Sequence, residues 1–223
     1  MMSWSRYIVV ICATFLVGCA STGKHLKYSY VFMDEISDLR ESVARGSTIQ
    51  AIQSLDMLLT MDSNNIDARF LRAVAYQKLE QYEKAVDDYN ALLKISPESG
   101  RAHYNLAMIY AFKMVDRKAA LEHFDRFLDI DIKNPKTFDV AKIMCALAYE
   151  DSTIASWSVK EGLGQDTLEA RKNMLTGALK LNPTLGDAHY ELAQLLLGEN
   201  KKDEASIHLA KASLFKPNDP KFR

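Results

Sequence analysis

IDARFLRAVAYQKLEQYEKAVDDYNALLKISP, residues 66–97, decides the fold. Its small and apolar residues return at helical spacing in two runs. Ala73 and Tyr76 stand three apart in the first run, and Ala85, Tyr89 and Leu92 stand at i, i+4 and i+7 in the second. That spacing buries one face of a helix. Leu79-Glu80-Gln81 breaks the pattern between the runs, and Pro97, which has no N–H to donate, stops the second. Ala73 and Ala85 let two helix backbones approach, while Tyr76, Tyr89 and Leu92 fill the space around the crossing.

The same unit recurs on both sides. In residues 32–65, a degenerate copy, Ala51, Leu55 and Leu58 each lie 34 before Ala85, Tyr89 and Leu92, while Leu39 stands where Ala73 stands. In residues 100–134, Ala107 and Tyr110 lie 34 after Ala73 and Tyr76. Ala120 lies 35 after Ala85, so one residue is inserted between Phe112 and Arg117; Phe124 and Phe127 follow, and the proline is displaced to Pro135. Residues 185–217 carry Leu192-Ala193, Ala205, Leu209, Ala212 and Pro217 in frame, with Pro217 at 34 from Pro183. The unit between, 135–184, is divergent. Ala146 and Tyr149 are expected to be its first-helix pair and Leu175 and Ala178 its second-helix pair, with Arg171 on a small-residue position. Its excess length falls in residues 151–166, read as an extended first helix or a projecting loop near Gly162 and Gly164.

This pattern resembles the tetratricopeptide repeat, or TPR, a helix–turn–helix unit of 34 residues. Ala73, Tyr76, Ala85, Tyr89, Leu92 and Pro97 fall on motif positions 8, 11, 20, 24, 27 and 32; Arg69 departs from it, where tryptophan is frequent. The resemblance implies an all-α, right-handed solenoid of about five helix pairs over residues 31–217, followed by a tail at 218–223.

Composition bounds the rest. Of 223 residues 48% are hydrophobic, which allows a sizeable core, and 9 glycines with 5 prolines favour helices. The 28 basic and 29 acidic residues cancel, which leaves no electrostatic footprint for nucleic acid. Met1 to Arg6 precedes an apolar run from Tyr7 to Gly18, too short for an ordinary membrane span and fitting a signal peptide over 1–18. The run ends in Leu16-Val17-Gly18-Cys19, which resembles the lipobox of bacterial lipoproteins. That resemblance implies a lipidated Cys19, a short tether over residues 19–30, and, because Ala20 is not the aspartate of inner-membrane retention, an outer-membrane protein facing the periplasm. Cys145 would then be the only other cysteine of the mature chain, expected to be a buried small hydrophobe.

No catalytic, metal or cofactor motif is present: the chain has no Gly-rich phosphate loop, HExxH or GxSxG. His25, His103, His123, His189 and His208 are scattered, but His103 and His189 share repeat position 4 and are expected to pack between adjacent helices; Asp87-Asp88 reads as a solvated face. Binding remains. In the TPR family, first helices line a groove through positions 2, 5, 9 and 12. Carried over, these are Asp67, Phe70, Val74 and Gln77; Arg101, Tyr104, Met108 and Ala111; and Asp187, Tyr190, Gln194 and Leu197. Phe70, Tyr104 and Tyr190 recur at position 5, where an aromatic serves either a peptide groove or packing, and both readings stand. The lysine and asparagine of the family's carboxylate clamp are absent from Phe70/Val74 and Tyr104/Met108. The last helix carries a second apolar stripe, Ile207, Ala210 and Leu214, expected to lie uncovered and to dock a partner or a second copy, the alternative being a tail that folds back so that Phe215 or Phe222 covers it. The expected function is a lipid-anchored scaffold that binds proteins or peptides of the cell envelope, in pilus secretin assembly, outer-membrane protein insertion or cell-wall enzyme regulation. The alternatives are a soluble periplasmic peptide-binding chaperone and, remotely, an enzyme using residues 151–166.

Overall fold

The computed structural model describes residues 36–148, 159, 163–164 and 167–222. Among these no strand occurs. The helices are α1 (residues 36–45), α2 (Thr48–Met61), α3 (Ile66–Lys78), α4 (Tyr82–Ile95), α5 (Gly100–Ile109), α6 (Arg117–Ile130), α7 (Thr137–Leu147), α8 (Leu168–Leu181), α9 (Gly186–Gly198) and α10 (Lys202–Phe215). Cys19, the tether and most of the 151–166 segment lie outside the described residues.

Local chemistry starts and stops these helices. The side chains of Asn65, Asp116 and Thr167 accept from the N–H groups of Ala68, Ala119 and Ala170, satisfying donors that a helix start leaves open. In the four described turns within pairs, the chain passes through one left-handed residue: Gly46 (φ 97°), Glu80 (φ 57°), Val115 (φ 55°) and Asn200 (φ 61°). At Glu80 and at Asn200 two backbone bonds close the turn, Gln81 N–H to Tyr76 C=O with Glu80 N–H to Gln77, and Lys201 N–H to Leu196 with Asn200 N–H to Leu197. The third pair is one residue longer. There Tyr110–Met114 forms a π-helical turn and Asp116 N–H reaches back to Tyr110 C=O. The extra residue between Ala85 and Ala120 is absorbed in this way.

The small residues stand where the helices cross. Ala73, Ala85, Ala107, Ala120, Ala193 and Ala205 are fully buried, as are Tyr89 and Phe124. From α2 to α7, and again from α8 to α10, each helix packs on its successor. The first core joins Ile36 and Val43 to Leu55, Leu58 and Leu71, and the second runs from Ala73 and Tyr89 to Leu106 and Ile109.

The fourth unit departs from expectation. Ala146 is exposed; Ala141, 34 after Ala107, is the buried alanine of α7, and Met144 is the buried partner 34 after Tyr110. The frame continues unbroken into α7, and the extra residues follow it. Cys145 is consequently exposed, not buried, because it shares the outer side with Ala146. Of the 151–166 segment, Val159 is buried against Leu175, Ala178, Ala188 and Leu192.

The C-terminal end is also not open as expected. Helix α10 packs on α7 as well as on α9. Leu214 and Phe215 pack against the core of Ala107, Phe124, Phe127 and Met144, so the stripe is covered at Leu214 by the third repeat. Ile207 and Ala210 are half-buried. Lys211, 1% exposed, reaches Asp125 and Asp129 of α6, 2.6 Å from each. Gly186 permits the close contact of α9 with the end of α10: a Cβ there would stand 3.2 Å from the Ala212 carbonyl oxygen.

Candidate functional site

The residues expected in the groove fall into separate groups. The first lies where α3, α4 and α5 meet. Phe70 is half-buried, with its ring edge-to-face on Tyr89 at 5.6 Å. The exposed Arg101 sets its guanidinium 4.2 Å from the centre of the Phe70 ring. Tyr89 is fully buried, yet its hydroxyl donates to Gln77 Oε1 and accepts from Asn105 Nδ2 at 2.9 Å. Burial pushes that hydroxyl well above the ordinary tyrosine range, so it stays a neutral hydrogen-bonding group. Val74 packs beside it. Phe70, Val74, Gln77 and Arg101 are therefore brought together, with Asn105 as an added member.

Tyr104 and Met108 begin the second group, against the core of α6. The Tyr104 ring lies 5.5 Å from Phe127 and 6.4 Å from Phe124, and Lys136 Nζ stands 4.1 Å from its centre. Met108 is half-buried in the same cluster. Phe70 and Tyr104 thus serve packing and also present a cation-capped edge: each rests on an aromatic of the second helix and carries a basic residue on the other side. Ala111 is half-buried, and Asp67 is exposed. On α9, Tyr190 is half-buried and Gln194 and Leu197 are exposed; Asp187 pairs with Lys216. The α9 core shares no buried residue with the cores of the other two groups.

Three polar constellations escaped the sequence reading. His103 Nδ1 lies 2.9 Å from His123 Nδ1, and His189 Nδ1 lies 2.8 Å from His208 Nδ1. These four histidines are paired, not scattered, and His25 lies outside the described residues. Their signal was present: His123 and His208 each stand three residues after the buried alanines Ala120 and Ala205, so both pairs use the same two repeat positions. Asp88 is not a solvated acid. It is 4% exposed and takes both Arg72 Nε (2.7 Å) and Arg72 NH2 (2.5 Å), while Arg72 NH1 reaches Asp56 of α2 at 2.7 Å. The third constellation is Lys211 with its two aspartates.

Among the described residues no group of three or more His, Cys, Asp or Glu is placed to hold a metal, and no helix is long and apolar enough to cross a membrane. What the first two groups offer is recognition: aromatic edges, guanidinium and ammonium groups, and amide side chains along the first helices.

Comparison with known proteins supports the repeat reading. A tetratricopeptide-repeat model matches residues 66–99 and another matches 165–223. A tetratricopeptide repeat and J domain-containing co-chaperone of Fusarium oxysporum f. sp. lycopersici is 33% identical over 69 residues, 31% of this chain. The match spans only 13% of that protein. Among solved structures, PilW, described as a type IV pilus biogenesis factor, is 20% identical with a TM-score of 0.47, covering 84% of this chain and 78% of its own. YrrB, described as a TPR protein with an unusual peptide-binding site, is 19% identical with a TM-score of 0.46 over 82% and 86%. A MamA double mutant is 20% identical with a TM-score of 0.44 over 84% and 98%. The described chain is an all-α helical array, and residues 66–99 and 165–223 of it are tetratricopeptide repeats.

Proposed function

We propose that the chain is a scaffold that holds a peptide segment of another protein along α3 and α5, against Phe70, Val74, Gln77, Arg101, Tyr104 and Met108. The observation that carries this is the Arg101 guanidinium over Phe70. An exposed cation above a half-buried ring offers an apolar contact and a charged donor within one side chain's reach. A peptide with an aromatic or aliphatic anchor next to a carboxylate or a C=O fits such a pair. Tyr104 under Lys136 repeats the arrangement. We further propose, from the Leu16-Val17-Gly18-Cys19 pattern, that Cys19 carries lipid and that the array works at the outer membrane in envelope assembly.

Site-specific photo-crosslinkers test the first part. One placed at Met108 or Val74 is expected to trap a discrete protein partner in intact cells, and one at exposed Lys84 on α4 to trap none. Equal trapping at all three positions, or loss of nothing on Arg101→Ala, would sink the groove reading. Labelling with an alkyne fatty acid tests the anchor: label is expected on the wild type and absent from Cys19→Ala.

A further inference from the structure

The repeat frame continues unbroken into α7 and puts a third aromatic on the row of Phe70 and Tyr104. Phe138 lies 34 residues after Tyr104, as Tyr104 lies 34 after Phe70, and Lys142 lies 34 after Met108. Side-chain contacts place α7 beside α5 as α5 stands beside α3. Lys136, just before α7, reaches the Tyr104 ring, as Arg101 near the start of α5 reaches the Phe70 ring. Val140 and Met144 of α7 share a core with Ala107, and Tyr104 and Met108 pack against it.

Phe138 differs from the other two rings in what supports it. Phe70 and Tyr104 lean on buried aromatics of the second helices. Phe138 is 56% exposed and, among the described residues, rests on no other ring. Its cation comes from its own helix: Lys142, one turn on, sets Nζ 4.3 Å from the ring centre. Packing accounts in part for the first two aromatics and leaves the third unexplained.

Charge narrows what fits there. Arg101 is the one charge of α5, and α7 with the residue before it carries Lys136, Asp139 and Lys142. Three cations thus stand with one acid. That acid holds Lys142 only at 3.9 Å, with the Lys142 and Asp139 side chains 64% and 78% exposed. So open a pair is worth little and leaves Lys142 free to take another carboxylate. The whole chain has a formal charge of −1, so α5 and α7 form a local excess of positive charge.

We propose, resting on the peptide groove of α3 and α5, that the groove continues onto α7 with Phe138 and Lys142 as a third subsite, and that its ligand is an acidic peptide segment. Carboxylates meet Arg101, Lys136 and Lys142, and apolar side chains lie against Phe70, Tyr104 and Phe138. Packed helices stand about 10 Å apart, which an extended chain covers in about three residues, so acidic residues recur at about that interval.

Fluorescence anisotropy of the full chain with three labelled extended peptides tests this. The peptides share leucine and phenylalanine and carry glutamate, glutamine or lysine at every third position. The glutamate peptide is expected to bind at least about tenfold tighter than the other two at low salt and to lose that margin as salt rises. Phe138→Ala and Lys142→Gln are each expected to weaken it by about three- to tenfold with an unchanged helical circular dichroism spectrum, and Lys142→Gln to leave the glutamine peptide as it was. Equal affinity for the three peptides overturns the acidic ligand. If both α7 variants bind as the wild type does while Arg101→Ala still weakens binding, the third subsite is overturned and the groove on α3 and α5 stands. Indifference to all three substitutions, or no binding of any peptide, overturns the groove as well.

Discussion

The Nδ1 atoms of His103 and His123 lie 2.9 Å apart across the paired helices of the third repeat. His103 Nε2 is 3.0 Å from the Pro97 carbonyl oxygen and so carries a proton. Its Nδ1 is then the acceptor, and His123 Nδ1–H the donor. The fifth repeat copies the arrangement, with His189 Nε2 on the Pro183 carbonyl and Nδ1 facing His208. Each bond requires the accepting ring, His103 or His189, to be neutral, and burial disfavours the charged form of both partners.

Acid should therefore loosen the fold. Burial first, then His103, depresses His123 to about 4, and burial first, then Lys211, depresses His189 to about 3. In the unfolded chain both titrate near the ordinary value of 6.5. The unfolded state thus binds more protons below that value, and stability falls as pH drops from there toward the folded values. Urea unfolding is expected to lose about 2 kcal/mol between pH 7 and pH 5, after allowing for the water that reaches His123. His123→Gln with His189→Gln should flatten this slope. Nuclear magnetic resonance titration of the native rings near the ordinary value would refute the assignment.

Lys211 fastens the C-terminal pair to the third repeat. Its ammonium is buried with Asp125 and Asp129, 86 and 82 residues away in the chain. Burial holds the Asp125 carboxyl above its usual range, against the pull of Lys211. Lys211→Met leaves two carboxylates facing each other, and about 2–3 kcal/mol should be lost, less than for a fully enclosed pair because both aspartates keep some water. Hydrogen exchange is expected to quicken in α6 and α10 while α3 and α4 hold. Adding Asp125→Asn to Lys211→Met should recover part of the loss. Uniform quickening along the whole chain would mean that Lys211 fastens nothing in particular.

What could be read from the sequence was whatever repeats at 34 residues. Ala73, Ala85, Tyr89 and Pro97 are legible because every unit must solve the same crossing with the same sizes of side chain. The one-residue insertion before Arg117 was legible for the same reason, as a break in that ruler. What the ruler cannot reach are contacts between units that occur once. Lys211 with Asp125 joins the fifth unit to the third, 86 residues apart, which no spacing encodes. Ala146 fits the motif in sequence because Tyr149 follows it at the motif spacing, whereas the buried Ala141 is followed by Met144. Buried Met144 fills the aromatic's place. Of the candidate groove, the position-5 aromatics were legible, but their capping by Arg101 and Lys136 was not, because each cation comes from the following repeat.

Arg72 joins two repeats. It sits on α3, binds Asp88 of α4 through two nitrogens and reaches Asp56 of α2. Its guanidinium is held even more firmly protonated than usual, Asp88 being the largest cause. Only a planar fork satisfies both carboxylates at once. Arg72→Lys should therefore cost about 1–2 kcal/mol, and Arg72→Met more, since buried Asp88 would lose both close hydrogen bonds and keep only the more distant Arg69 guanidinium, 3.6 Å away. Thermal melts of the two variants check the order. If Arg72→Lys matches the wild type, the fork geometry is irrelevant.

Val115 holds the left-handed position that Gly46, Glu80 and Asn200 hold in the other turns. A β-branched side chain is poorly suited to φ 55°, because its Cβ substituents crowd the backbone there. The side chain gains nothing in return, being 80% exposed. The strain is imposed by the π-turn at Tyr110–Met114, which brings Asp116 N–H to Tyr110 C=O and leaves one residue to reverse the chain. Val115→Gly relieves the clash but frees the unfolded backbone, so Val115→Asn is the better variant and should stabilise by about 0.5–1 kcal/mol. A rise of a few degrees in Tm would show it. A fall would mean that Val115 makes an apolar contact in solution stronger than the strain it carries.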